Sequence, residues 1–166
     1  MGGVSFKVSY DDTRLRSALT GLIALGQDPA PVMLDLAAYG ETSTRARFDT
    51  EIGPDGEKWK PSLRAQLTGG KTLTDSGHLR DSLTRDSGRD WAAWGSNRIY
   101  ARIQQLGGVI KPKSGGKLRF RLANGGFRSV AQVTLPARPY LGVNKNDEAE
   151  MISLIQLRLR GVLRAG

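Results

Sequence analysis

The sequence predicts an α+β fold: an antiparallel sheet flanked by helices, with a long basic β-hairpin and a C-terminal helix. Apolar residues recur at helical spacing in three long segments, two before residue 50 and one after residue 145. Between residues 118 and 135 apolar residues alternate with polar ones around a turn signal. The length of 166 residues fits a single domain, 1–166, from which residues 109–136 project as the hairpin.

The first third of the chain predicts a short strand and two helices. Alternation over residues 4–10 indicates an edge strand. The apolar face of the first helix is formed by Leu15, Ala18, Leu19, Leu22 and Ile23. Asp28 caps the second helix, which has Pro29 at its first position and ends near Glu51. The stripe of this second helix is formed by Met33, Leu36, Ala37, Gly40, Thr44 and Phe48.

The middle of the chain predicts a short helix and then a strand. Thr74 or Asp75 caps the helix, which runs to Leu83. Residues 85–94 are predicted as strand. Residues 95–97 are predicted as a turn, because glycine tolerates positive φ and serine or asparagine can cap the next helix.

The segment from Trp94 to Gly108 is predicted to organise the fold. Its short helix carries an apolar stripe of Ile99, Ile103 and Leu106, and the glycine pair at 107 and 108 ends it. We expect the preceding helices to pack around this segment.

The segment after this short helix predicts the basic hairpin. A strand from Leu118 to Leu122 alternates apolar residues with Arg119 and Arg121, which places both arginines on one face and Phe120 on the other. The sequence Asn124-Gly125-Gly126 is a hairpin turn signal. Residues 130–135 form the returning strand, and their imperfect spacing indicates a bulge.

The C-terminal segment predicts a helix capped by Asn144 or Asn146. Acidic residues in its first turn and arginines towards its end suit the helix dipole. Its broad stripe is formed by Met151, Ile152, Ile155, Leu159, Val162 and Leu163. Leu154 and Leu157 lie off this stripe, so the helix is buried on two sides, either in the core or against another subunit.

Positive charge is in excess: 25 Lys and Arg against 16 Asp and Glu give a formal charge of +9. The predicted hairpin contains no acidic residue, and its positive residues are Lys111, Lys113, Lys117, Arg119, Arg121 and Arg128. Such a row suits contact with nucleic-acid phosphates, which requires no base-reading residue. The alternatives are a solvated arm, an arm that docks on an acidic protein surface, or a charge that only sets solubility.

Residues that carry chemistry are few. The chain has no cysteine, which excludes disulfides, a thiolate nucleophile and Cys-ligated metal. His78 is the one histidine, so Ser-His-Asp catalysis would have to use it; the alternative is a surface or interface histidine. We predict no catalytic residue, no metal site and no cofactor. The N-terminus lacks a signal core and no apolar run could span a membrane, so we expect a soluble protein made in the cytoplasm.

Several short pieces occur together in a recognisable order. They are Phe48; Gly53-Pro54-Asp55-Gly56 with Trp59 and Leu63; Leu73-Thr74-Asp75-Ser76-Gly77-His78-Leu79-Arg80-Asp81-Ser82; Gly95-Ser96-Asn97 with Tyr100-Ala101 and Gln104-Gln105-Leu106-Gly107-Gly108; and Pro136-Ala137-Arg138-Pro139-Tyr140-Leu141-Gly142. In this order the chain resembles the virion-morphogenesis (tail-completion) family of tailed bacteriophages. One departure is Arg102-Ile103-Gln104, where that family more often has a histidine before the glutamine.

The resemblance implies a structural, non-enzymatic virion protein of the neck or tail end, made in the host cytoplasm. It implies a homo-oligomeric ring, by analogy a hexamer, around the DNA channel, with other neck, tail-tube or connector proteins as partners and no membrane. The basic hairpin would face the channel, where non-specific contact with packaged DNA could occur. The expected subunit contacts are Tyr100, Gln104, Arg138, Tyr140, Leu154 and Leu157.

Two other functions stay open from the residues alone. One is a free-standing nucleic-acid-binding protein that acts through the basic hairpin. The other is an enzyme that uses His78. Arg138 likewise has two interpretations: a fixed contact point held between rigid neighbours, or a buried structural arginine paired with a carboxylate.

Overall fold

The computed structural model describes residues 28–122 and 125–165, together with Thr13 and Arg16; for 161–165 it describes the helical backbone alone. The predicted strand over 4–10 and the apolar face from Leu15 to Ile23 lie outside this part of the chain. None of the helices in the described part has the length and hydropathy needed to cross a membrane.

The described chain alternates helices with short strands, as an α+β fold requires. In chain order the elements are α1 (Ala30–Thr50), α2 (Leu63–Thr68), α3 (His78–Asp81), β1 (Leu83–Ser87), β2 (Ala92–Ser96), α4 (Ala101–Leu106), β3 (Gly108–Ile110), β4 (Leu118–Arg121), β5 (Phe127–Val130), β6 (Val133–Leu135) and α5 (Lys145–Ala165). The predicted α+β class is therefore confirmed. The helix predicted from residue 74 to 83 is shorter than expected, because Gly77 adopts a left-handed φ of 75° immediately before α3.

The strands pair as three separate two-stranded antiparallel ladders, β1–β2, β3–β6 and β4–β5, and not as one sheet. The single strand predicted over residues 85–94 is wrong, because the chain reverses within it. Leu83 pairs with Ser96 at one end of the β1–β2 ladder and Ser87 pairs with Ala92 at the other. The Gly88 N–H donates to the Trp91 carbonyl at 2.9 Å and closes the loop over 88–91.

Helix α1 is the central element of the core. All six residues of its predicted stripe are buried, which confirms that stripe and the predicted end near Glu51. Around one end of α1 lies a cluster of Phe48, Trp59, Leu79, Leu83, Ala101, Tyr140 and Leu141. Around the other end lies a second cluster of Val32, Met33, Leu36, Met151 and Ile155. Trp94 packs against both clusters, so the β1–β2 hairpin connects the two halves of the core.

Asp147, near the start of α5, joins that helix to α1. Its carboxylate is paired with Arg47 and accepts hydrogen bonds from Ser43 and Tyr39. The Asn144 side chain accepts a hydrogen bond from the Asp147 N–H at 2.8 Å, which confirms Asn144 as the cap of the last helix. Asp147 and Arg47 are both buried. Their ion pair, with the hydrogen bonds from Ser43 and Tyr39, forms a charged network between α1 and α5 that we call the α1–α5 seam.

The basic arm, residues 109–136, contains the two ladders β3–β6 and β4–β5. The long continuous hairpin predicted here is not what the structure shows. Residues 111–117 separate β3 from β4, and the returning strand is interrupted between Val130 and Val133. This break explains the imperfect spacing that indicated a bulge in the sequence. The extent to which the arm projects stays a prediction.

Candidate subunit interface

Helix α4 is short but presents three different sides. The inward side fixes the segment from Arg138 to Gly142. The Gln105 side chain accepts the N–H groups of Tyr140 and Leu141, each at 2.9 Å, and donates to the Leu141 carbonyl at 2.9 Å. Ala101 is fully buried on this side. The Gln105 side chain therefore holds the two chain segments together where the subunit contacts were predicted.

On the outward side of this segment three apolar side chains are exposed: Ile99 precedes α4, Leu106 is its last residue and Val109 follows in β3. These side chains are 84%, 58% and 50% exposed. The sequence predicted that other helices would pack around this segment, but this side of it faces solvent. Exposed apolar side chains of this size make the segment a candidate surface for binding another molecule.

The third side of α4 forms one wall of a cavity of about 330 Å³, which we call the Gln104 pocket. Its lining residues are Ser62, Leu63, Arg64, Leu73, Asp75, Ser76, His78, Leu79, Tyr100, Gln104, Leu135 and Arg138. The Gln104 Oε1 atom is buried and has no hydrogen-bond partner within the described residues. An amide oxygen in that state needs a donor, because burial has removed it from bulk water.

Arg138 lies in the wall of the same pocket and is almost completely buried. Its backbone N–H donates to the Gln104 carbonyl at 2.8 Å, and its Nε donates to the Lys60 carbonyl at 2.7 Å. Burial lowers the pKa of the Arg138 guanidinium, and no carboxylate in the described part of the chain pairs with it. The predicted carboxylate partner is thus replaced by a carbonyl, and the two Nη groups have no protein partner among the described residues.

Tyr140 does not offer a surface to a second subunit, although it was predicted as a contact. The side chain is fully buried, and its ring centroid lies 5.4 Å from that of Phe48. Burial, with a smaller contribution from Tyr100, raises the pKa of the Tyr140 phenol to about 12. Tyr140 is buried because its ring completes the core cluster around Phe48 and Trp59. Tyr100, by contrast, is exposed at the pocket rim.

Leu154 and Leu157 lie on α5 away from its buried face. Met151 and Ile155 occupy that face, whereas Leu157 is 67% exposed and Leu154 is partly exposed. The side chain of Arg158 is paired with Asp35 of α1 at 2.6 Å. The two leucines therefore remain available for a subunit contact, and that role stays a prediction.

The six positive residues of the basic arm are all exposed. The β4–β5 register sets Arg119 opposite Ser129 and Arg121 opposite Phe127, so Arg119 and Arg121 share one face. Phe120 is opposite Arg128, which places both on the other face. The strand alternation was therefore predictable, but the six charges do not form a single row. Phe127, 82% exposed beside Arg121, has no counterpart in the sequence prediction.

His78 begins α3 and lines the Gln104 pocket beside Asp75 and Ser76. In the described structure no hydrogen bond links these three side chains, and Asp75 instead faces Arg64 at 3.6 Å. Within the same described residues, no group of three or more His, Asp or Glu side chains is placed to hold a metal ion. The arrangement therefore does not assemble a Ser-His-Asp triad.

Exposed apolar side chains beside α4 and a cationic arm suit a protein that acts by binding other macromolecules. The sequence model of the phage virion morphogenesis family matches residues 10–160, and the chain belongs to this family. It therefore has a structural or assembly role in phage virion morphogenesis.

Two relatives support this membership. The chain is 31% identical over 172 residues to the "Putative capsid assembly protein G" of Escherichia phage Mu, covering 97% of this chain and 98% of that protein. It is 30% identical over 142 residues to the "Mu-like prophage FluMu G protein 2" of Haemophilus influenzae, covering 86% of each. No solved structure matches the chain significantly.

Proposed function

We propose that this protein completes the phage tail or joins it to the head, as a homo-oligomeric ring around the DNA channel at the neck or tail end. The observation that carries the proposal is the exposure of three apolar side chains in and beside α4, those of Ile99, Leu106 and Val109. A monomer gains nothing from keeping Ile99 84% exposed, whereas a ring subunit buries such a surface against its neighbour.

The basic arm fits the inner side of such a ring. Its exposed positive residues include Arg119 and Arg121 on one face, and no acidic residue lies between 109 and 136. Duplex DNA that passes through a channel presents phosphates whatever its sequence, so a non-specific positive surface is sufficient. By analogy with the family resemblance, the ring is a hexamer, and its partners are other neck, tail-tube or connector proteins.

The test is the native mass of the purified protein, combined with negative-stain imaging of the same sample. We expect a closed ring with a central hole. Ile99→Asp should reduce the assembly to monomers while leaving the circular dichroism spectrum and melting temperature unchanged, because this side chain contributes little to the core. Phe127→Asp is the matched control, since Phe127 is 82% exposed but lies on the arm. Rings that survive Ile99→Asp would contradict the proposed interface.

The second candidate is a free-standing nucleic-acid-binding protein, and the exposed arginines of β4 favour it. The two functions differ in what they predict for the isolated monomer: whether it binds DNA and whether it assembles into a ring. If the monomer binds DNA with a steep salt dependence and no ring forms, this second function is the better one.

A further inference from the structure

One face of the β4–β5 hairpin places an aromatic ring beside positive charge. In the register of this ladder Phe127 is opposite Arg121, and Ser129 is opposite Arg119, so these four side chains lie on the same face. The Phe127 side chain is 82% exposed, and the other three residues are exposed as well. We call this surface, formed by Arg119, Arg121, Phe127 and Ser129, the Phe127 face.

The positive charge of the Phe127 face is not offset by nearby acidic residues. Residues 91–146 contain ten Lys and Arg and no Asp or Glu, whereas the rest of the chain has 15 Lys and Arg against 16 Asp and Glu. None of the ion pairs between described residues involves Arg119 or Arg121. A surface of this kind attracts a polyanion.

The turn next to the Phe127 face is closed by hydrogen bonds. The Leu122 N–H donates to the Gly126 carbonyl at 2.7 Å, and the Gly125 N–H donates to the Leu122 carbonyl at 2.9 Å. A Cβ added at Gly125 would lie 3.8 Å from Arg121 Nη2, so this guanidinium lies near the turn. Phe127 is the first residue of β5. The ring and the guanidinium are therefore presented together at one end of the hairpin.

We propose that the Phe127 face binds single-stranded DNA, with the phenyl ring stacked on an unpaired base and the two guanidiniums on phosphates of the same strand. This site deepens the proposed contact between the basic arm and DNA, and it rests on that contact. Arg119 and Arg121 are two residues apart on a strand, or about 7 Å, so each can reach a different phosphate. Proteins hold single strands of any sequence by base stacking on aromatic side chains beside positive charge.

An unpaired base suits the Phe127 face better than a base pair does. In duplex DNA the bases stack on one another, so a side chain reaches their faces only by opening a base step, which costs free energy. Phe120 is opposite Arg128 on the other face of the hairpin, so among the described residues of this ladder Phe127 is the one ring on its face. A single stack returns about as much free energy as opening a step consumes, whereas a single strand offers open base faces without that cost.

The neighbours of Phe127 also distinguish this face from an apolar protein-binding surface. The apolar side chains of the ladder, Leu118, Phe120 and Val130, are paired on the opposite face. Around Phe127 the ladder presents two guanidiniums and a hydroxyl instead. A protein contact based on apolar burial needs a larger apolar patch than one ring supplies. A nucleotide, by contrast, carries a flat ring and an anion in one molecule.

The test measures binding of the full chain to three fluorescein-labelled probes of equal length by fluorescence anisotropy. The probes are an oligothymidylate strand, a strand of abasic nucleotides, and a DNA duplex. The abasic strand carries the same phosphates as the thymidylate strand but has no base to stack. We expect the parent protein to bind thymidylate more tightly than the abasic strand. Phe127→Ala should weaken thymidylate binding about tenfold and leave the affinities for the abasic strand and the duplex unchanged.

Matched variants separate stacking from simple apolar contact and from charge. Phe127→Leu keeps apolar bulk without a ring and should lose nearly as much thymidylate affinity as Phe127→Ala, whereas Phe127→Trp should retain it. Ser129→Ala on the same face is the control and should have no effect. Arg121→Gln should weaken binding of both single strands and lower the slope of log K against log salt by about 0.7. Melting temperatures of all these variants should match the parent, because the substituted side chains are exposed.

The outcomes separate this inference from the proposed function. Equal affinity of the parent for thymidylate and abasic strands, or an unchanged thymidylate affinity in Phe127→Ala, would overturn the stacking site and leave the arm as a phosphate contact. An equal loss on thymidylate and duplex would overturn the preference for an unpaired base, because the ring would then enter the duplex. Polyglutamate binding that Phe127→Ala weakens as much as thymidylate binding would reassign the face to an acidic protein.

Binding to none of the three probes would overturn both the stacking site and the DNA-facing role of the arm. The ring itself is tested separately by the native mass of the protein, so a monomer that still binds thymidylate through Phe127 would support this site while contradicting the ring.

Discussion

The β1–β2 hairpin and the β4–β5 hairpin of the basic arm are built alike but are surrounded differently. The first lies against α1: the Trp94 indole N–H donates to Thr44 Oγ1 at 3.1 Å, and Arg85 is paired with Glu41 at 2.7 Å. The second has Arg119, Arg121 and Phe127 exposed to solvent on one face. One hairpin is thus part of the core, whereas the other is mainly a surface.

The difference shows that a hairpin obtains its stability from what covers it and not from its own ladder. A two-stranded ladder alone is marginal in water. For β1–β2 the support depends on Gly40, because the Trp94 ring occupies the space that a side chain there would need. Substitutions in the region anchored by α1 should therefore unfold the protein, and those in the arm should change what it binds.

The largest expected effect is at the seam that anchors α1 to α5. Asp147→Ala leaves Arg47 buried without its carboxylate and removes the acceptor of Ser43, so we expect a loss of about 3–5 kcal/mol in the free energy of unfolding. Equilibrium urea denaturation measures it. The control is Asp35→Ala, which breaks the solvent-exposed pair with Arg158 and should lower the stability far less. Equal losses of stability in the two variants would mean that the buried pair contributes no more than the exposed pair.

A smaller effect is expected where the hairpin meets α1. A Cβ at residue 40 would lie 2.5 Å from the Trp94 ring, so Gly40→Ala must displace the ring. We expect a net loss of about 1–2 kcal/mol after the better helix propensity of alanine is counted. Gly95→Ala on the same hairpin meets nothing within 4 Å and should stay within about 0.5 kcal/mol of the parent. Calorimetric melting curves measure both variants, and a lower melting temperature for Gly95→Ala than for Gly40→Ala would contradict this prediction.

The ion pair on the same hairpin predicts a pH-dependent effect. Burial acts to raise the pKa of Glu41, but hydrogen bonds from Arg85 and Arg45 outweigh it and hold the pKa below its ordinary value. A carboxyl whose pKa is lower in the folded state contributes stability above its unfolded pKa and loses it as the pH falls through the folded pKa. Glu41→Gln should therefore cost up to about 1 kcal/mol at neutral pH and nothing in strong acid. A cost that is the same at both pH values would contradict this origin.

The sequence predicted well the features that depend on local spacing. The stripe of α1 is buried as expected because helical periodicity places those six residues on one face. The Asn144 cap and the stop at Gly107 result from the conformations that asparagine and glycine prefer. The family resemblance was likewise predictable, because it rests on short pieces in a fixed order, and the family match confirms it.

Features that depend on distant packing were not predictable. The reversal at Gly88 was missed because Ser87-Gly88-Arg89-Asp90 lies inside a run that otherwise suits a strand. The spacing of Ile99 and Leu106 predicted that both lie on a helical stripe with other helices packed around it, but α4 begins only at Ala101 and both side chains are exposed. No local sequence pattern indicates the Gln104 pocket, because its lining residues come from four separate parts of the chain.

The smallest effect on stability, and the sharpest contrast with the anchored hairpin, is expected in the basic arm. The double variant Arg119→Glu/Arg121→Glu changes two exposed side chains, so the free energy of unfolding should stay within about 0.5 kcal/mol of the parent. Binding to duplex DNA should weaken, and the slope of log K against log salt should fall by about 2, because each lost phosphate contact removes about 0.9. Lys58→Glu/Lys60→Glu is the matched control, because both lysines are exposed and lie outside residues 109–136. If both double variants lower the slope equally, overall charge and not the arm attracts DNA, and the arm would have to be reassigned to contacts with protein.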